Sequence, residues 1–185
     1  MELSTLITIF HLLGIAIGMG GAFASDLIFL TSIRDKKITS TEFRFITLGG
    51  RMVWTGLLIL FISGSILFSF DPDRFIHSPK FQTKITILSI IVLNGLVFHS
   101  VHIPRIKRHR EEHLPSSDEF MRNRTLLTAS GALSITSWIS VLVLGAWRGF
   151  PFSYIQGVLG YVALAICAVT ISYITKHLVL PHHKK

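Results

Sequence analysis

Five stretches of this chain are apolar over about 20 residues or more, the length an α-helix needs to cross a hydrocarbon core of roughly 30 Å. They cover about 5–31, 47–70, 85–104, 126–147 and 154–176. Lipid offers no partner to a free backbone N–H or C=O, so each run has to be helical. Barrel strands are about half as long and alternate strictly, which these runs do not. The expected fold is an all-α polytopic transmembrane bundle of about five spans, a single domain over residues 1–185.

Charged residues make up 15% of the chain, against about 25% in soluble domains, and most fall between the runs. The net charge of +8 is not read as a nucleic-acid footprint, because the basic residues sit at helix ends. Arg34, Lys36, Lys37, Arg44, Arg105, Lys107, Arg108, Arg110, Arg122, Arg124, Lys176, Lys184 and Lys185 share one side, and Arg74, Lys80, Lys84 and Arg148 the other. That asymmetry predicts an outer N-terminus and a cytoplasmic C-terminus, in a bacterial inner membrane. The first run carries His11 and Asp26 with no basic residue before it, so a span is expected there and not a cleaved signal. Trp147 and Tyr154 flank the outer 148–153 turn, as interface aromatics do. The longest loop, 105–125, is polar, with Glu111, Glu112, Asp118 and Glu119, and is expected to carry a short surface helix. The lone cysteine, Cys167, excludes an intrachain disulfide.

Ionisable residues inside spans are costly, and each marks a functional hypothesis. His11, Gly14, Gly18, Gly21 and Ser25 follow one another at steps of three and four and share one helix face. Two readings stand side by side. The glycines let a neighbouring helix approach while His11 hydrogen-bonds across to it, or the groove admits a flat porphyrin whose iron His11 Nε2 ligates. Asp26 and Arg51 lie near the same ends of antiparallel neighbours and are expected to pair. Arg51 is alternatively a holder of a haem propionate or another carboxylate. His99 and His102, three apart at the end of the third run, are candidate metal ligands, His99 leading. Lys84 opens that run and is expected to snorkel toward headgroups. Ser130, Ser134 and Ser137 form a stripe read as packing glue. Hydrolase elbows, phosphate loops and dinucleotide fingerprints are absent from the sequence, which argues against soluble-type hydrolase or nucleotide chemistry.

The first span, His11-Leu-Leu-Gly-Ile-Ala-Ile-Gly-Met-Gly-Gly21, resembles the opening helix of HemJ-type protoporphyrinogen oxidases and of CopD-like copper-resistance membrane proteins. The third, from Phe81-Gln-Thr-Lys84 to Asn94-Gly95-Leu-Val-Phe-His99, resembles the HemJ-type helix that begins with a lysine and ends near a histidine. The resemblance covers about residues 8–105. It implies a helical bundle holding a b-type haem, with His11 as an axial ligand and Lys84 as a second essential residue. Met19, Gly20 and Gly21 stand where the HemJ-type helix continues with Trp and aromatic residues, and the last two spans look more CopD-like.

His11 and His99 each lie about 9 Å from opposite surfaces and about 12 Å apart in depth, at ~1.5 Å per residue in a core about 30 Å thick. A single bis-histidine haem is disfavoured. The expected function is a membrane b-type haem protein, using His11, His99, Arg51 and Lys84, that carries electrons or oxidises a hydrophobic substrate such as a quinol or porphyrinogen. The alternatives are a CopD-like copper or metal handler using His11, Met19, His99 and His102, and a non-catalytic subunit or assembly factor of a membrane complex. The redox partner and the oligomeric state are left open.

Overall fold

A computed structural model of the protein describes residues 2–34, 37–111 and 118–179, with side chains over 2–32, 37–111 and 125–175. Lys36, Glu112, Lys184 and Lys185 lie outside the described residues, as do the side chains of Arg34, Asp118, Glu119, Arg122, Arg124 and Lys176. The elements are α1 (Leu3–Arg34), α2 (Ser40–Phe70), α3 (Pro72–Ile76), α4 (Pro79–Val97), a π turn (Phe98–His102), α5 (Ile103–Arg108), α6 (Asp118–Ala146) and α7 (Tyr154–Val179), with no strand among the described residues. Five stretches are long and apolar enough to cross a membrane: Leu3–Ser32, Ser40–Phe70, Pro79–Arg108, Thr125–Ala146 and Tyr154–Thr175. Large apolar side chains such as Phe61, Leu93, Ile155 and Ile174 remain exposed on the outside of the bundle, as lipid contact requires. The chain is an integral membrane protein of five helical spans.

The ends of the spans follow from local chemistry. Helix α2 starts at Ser40, ahead of its apolar run. Thr39 caps it, with its hydroxyl accepting from the Glu42 amide while Glu42 accepts from the Thr39 amide. This capping box satisfies otherwise orphaned N–H groups. Helix α4 starts at Pro79, behind the Ser78 cap, where proline's missing N–H costs nothing. At its other end the third span continues through the π turn into α5. Proline at position 104 would drive its ring into the Ser100 carbonyl in regular α geometry, and the widened turn before it relieves that clash. Helix α6 begins at Asp118 and takes up much of the expected 105–125 loop. The short α3 was not expected; Phe75 on it packs against Phe68 and Phe81.

Helix α1 packs most extensively on α2, and α6 joins α4, α7 and α1. The α1–α2 contact is backbone on backbone. A Cβ added at Gly56 would lie 2.5 Å from Gly18 N and 2.7 Å from Gly14 O, and one added at Gly21 would lie 2.6 Å from Gly49 O. The Ser25 hydroxyl donates to Gly21 O and Ile46 O at 2.9 and 3.2 Å, sealing the same seam. Trp138 of α6, fully buried, lies against Gly18, among Ile15, Leu57, Ile87, Ile91 and Tyr161. Two of the three serines of the stripe, Ser130 and Ser137, bond across helices, and Ser134 lines a cavity. The Ser137 hydroxyl donates to Leu133 O and accepts from the Tyr161 hydroxyl at 2.8 Å.

A clasp joins the α1–α2 connection to the end of α5. The Glu111 amide donates to Ile38 O at 2.8 Å. Its carboxylate accepts from the Ser40 amide at 2.6 Å and pairs with Lys37 Nζ at 2.9 Å. These contacts hold Glu111 at a φ of 66°, in the left-handed region that L-residues seldom adopt. Beneath them, Phe29, Ile38, Ile46, Ile106 and Leu127 form a second apolar cluster.

Two outcomes follow. Gly56→Ala forces α1 and α2 apart and lowers stability by about 1–3 kcal/mol, in the range for overpacking, read as a lower thermal midpoint in detergent. Gly20→Ala, with nothing within 4 Å, leaves the midpoint unchanged. The Lys37 ammonium, followed by the Ser40 amide, holds the Glu111 carboxyl at about 2. A depressed carboxylate favours the folded clasp above the ordinary carboxylate range and loses that contribution as pH falls toward 2. The carbon-13 shift of the Glu111 carboxyl titrates near pH 2, and in Lys37→Gln its midpoint rises toward the ordinary range. An unchanged midpoint in that variant contradicts the clasp.

Candidate functional site

The polar residues of the spans divide between two places. Toward the end of the bundle opposite the clasp, His11 Nδ1 lies 3.0 Å from Ser63 Oγ of α2. The Ser63 hydroxyl donates to Ile59 O at 2.6 Å, so it accepts from His11 and fixes the proton on Nδ1. In neutral His11 the Nε2 lone pair is then free. Gly64 faces the ring; a Cβ there would sit 3.5 Å from His11 Cε1. Lys84 lies within electrostatic reach of His11. It is half-buried, its Nζ 3.9 Å from where a Cβ of Gly145 would be, so it turns into the bundle toward α6, where snorkelling was expected. The glycine face below His11 is occupied by α2, and a porphyrin does not fit there. Of the two readings of that face, close helix approach is what the packing displays.

Toward the clasp end, α1, α2, α4, the π turn, α5 and α6 surround a cavity of about 150 Å³. Asp26, Arg51, His99 and His102 all line it, so the structure brings together four of the residues singled out in the sequence. Its walls are aromatic: Trp54, Phe98 and Trp138. Gly50, Gly95 and Gly131 also line it, and side chains at these positions would narrow it.

The expected Asp26–Arg51 pair does not form. Asp26 turns toward α6, its carboxylate oxygens 3.6 and 3.9 Å from where a Cβ of Gly131 would lie. Oδ2 is buried with no hydrogen-bond partner among the described residues. Arg51 is exposed at the cavity rim. The absent side chain at Gly131 gives Asp26 its room, and the position of Arg51 on the outer side of α2 removes its partner.

The two histidines differ in burial. His99 is exposed at the rim, whereas His102 is 1% exposed, and neither of its ring nitrogens has a hydrogen-bond partner among the described residues. The π turn that contains both causes this, because its wider register separates residues three apart that a regular helix would align. Phe98 meets the His102 ring edge-on at 6.1 Å. Leaving a buried polar group unsatisfied costs about 1–3 kcal/mol, and Asp26 Oδ2 and both His102 ring nitrogens are in that position among the described residues.

Asn94 is a cavity residue that residue-type reasoning missed. Its Nδ2 donates to Ser130 O at 3.1 Å and its Oδ1 accepts from Ser130 Oγ at 2.8 Å, so it locks α4 to α6 at the cavity wall. A polar amide in an otherwise apolar run was the available signal. His11 is not among the cavity residues, Met19 packs against the apolar core, and no group of three or more His, Cys, Asp or Glu converges among the described residues. The copper path through His11, Met19, His99 and His102 is thus not assembled in one place. Comparison with protein families, curated proteins and solved structures finds no match to this chain.

Proposed function

We propose that the protein is a membrane redox protein whose cavity binds the single-ring headgroup of a lipid-soluble quinol. The supporting observation is the combination, in one cavity, of aromatic walls with two unpartnered polar groups, Asp26 Oδ2 and His102. Size agrees. An apolar cavity of about 150 Å³ holds one benzene-sized ring, whereas drug-sized and cofactor sites run from about 300 to 1,000 Å³. A porphyrinogen, with four pyrroles, is too large. Trp54, Phe98 and Trp138 supply faces and edges for a ring. The hydroxyls of a quinol donate to the Asp26 carboxylate and to a His102 nitrogen, so both polar groups of the cavity hold the headgroup. His99 and Arg51, exposed yet lining the cavity, support an entrance between them through which a lipid-soluble tail would extend. Loop charge supports the cytoplasmic side of a bacterial inner membrane for this end.

A short-chain benzoquinol analogue is expected to quench the tryptophan fluorescence of the purified protein saturably. His102→Ala weakens that binding about tenfold, the equivalent of ~1.4 kcal/mol, while the thermal midpoint holds. Equal affinity in the two proteins contradicts the reading.

A second reading, a b-type haem on His11, is favoured by one observation. A metal-binding imidazole is normally fixed through its other ring nitrogen, as Ser63 fixes His11. The porphyrin would then lie on the outer flank beside Lys84, away from the glycine face. Purification after growth with haem supplied should give a Soret band that His11→Ala removes and His102→Ala keeps. Absence of the band in the wild-type protein rejects this reading.

A further inference from the structure

Arg44 and Arg51 enter neither reading fully, and neither makes a hydrogen bond or ion pair among the described residues; the salt bridge found there joins Lys37 and Glu111. Both are exposed. They stand on one stripe of α2 with Thr41, Phe45 and Leu48, and these residues, with Phe43 and Thr47, line a hollow of about 540 Å³ along the helix. The two arginines are seven positions apart, about 10 Å along the axis at ~1.5 Å per residue. Two long side chains can converge across that gap. Both guanidinium groups are exposed toward one end of the span, and an anion that accepts bidentate hydrogen bonds suits them.

We propose that this stripe is a binding site for the phosphodiester headgroup of an anionic phospholipid. The exposed Phe45 and Leu48 between the arginines decide between a lipid and a free anion. They offer acyl chains an apolar track, whereas inorganic phosphate gains nothing from them. The Thr41 hydroxyl adds a donor toward the headgroup. Thr47 and Arg51 belong both to this hollow and to the cavity rim, so the bound lipid stands at the entrance. The site depends on Arg44 and Arg51 and on no ring ligand.

The test is native mass spectrometry and thermal unfolding of the purified protein in mixed micelles containing phosphatidylglycerol or phosphatidylcholine. Phosphatidylglycerol should be retained at one copy and raise the midpoint, with phosphatidylcholine doing neither. The exposed pair R44Q/R51Q should lose retention about tenfold or more while its helical circular dichroism is unchanged. R44K/R51K should recover part of it, since lysine keeps the charge and loses the bidentate geometry. Arg74→Gln, at the opposite end, should bind as the wild type does. Equal retention by R44Q/R51Q, equal retention of phosphatidylcholine, or the same stabilisation by inorganic phosphate alone overturns the proposal.

Discussion

The contact between α1 and α2 sets the rest of the architecture. Gly14, Gly18 and Gly21 meet Gly49 and Gly56 with backbone against backbone, an approach that any side chain on either face prevents. In lipid there is little hydrophobic drive between helices, so close van der Waals contact of this kind is a main source of association. Trp138 then fills the space beside Gly18 and ties α6 to the pair. Because the glycine surface is spent on this seam, the open volume of the bundle lies elsewhere, toward the clasp end between α1, α2, α4 and α6.

That displacement decides what chemistry the spans can host. The ionisable groups with buried polar atoms at the open volume are Asp26 and His102, with the exposed His99 and Arg51 also among its lining residues. Proteins rarely keep a carboxylate oxygen and an imidazole unpartnered in a low-dielectric interior, since such groups cost free energy until something satisfies them. The π turn and Pro104 direct His102 inward, Gly131 makes room for Asp26, and the Asn94–Ser130 pair holds the wall. Each is a local departure from plain apolar packing, and Phe98, His99 and His102 of the π turn, Gly131, Asn94 and Ser130 line the same cavity. His11 is a separate case, secured by Ser63 and neighboured by Lys84 on the other side of the bundle.

Much of the fold was legible because bilayer thickness imposes a length that apolar runs reveal directly. Span ends were less legible. The capping box at Thr39 and Glu42 and the Ser78–Pro79 start are polar signals that lie outside the apolar runs, so α2 and α4 begin earlier than hydropathy implies. The cluster of Asp26, Arg51, His99 and His102 was legible as residue types at a common depth. Its internal arrangement was not. Pairing Asp26 with Arg51 assumed both faced the α1–α2 seam, whereas Asp26 faces Gly131 and Arg51 faces outward. Placing His99 and His102 on one face assumed regular helical spacing, which the π turn breaks. The glycine face was consistent with two occupants, and only the position of α2 distinguishes them.

If the cavity takes a ring, the buried Asp26 carboxyl that lines it is reachable from the apolar phase and covered by the ligand. A hydrophobic carbodiimide measures this directly, since it reaches acids from the apolar phase and labels them covalently. The expected result is modification at Asp26, located by peptide mass spectrometry and suppressed when the protein is first saturated with a benzoquinol analogue. Labelling that spares Asp26, or that proceeds at Asp26 at the same rate with the analogue present, contradicts the account.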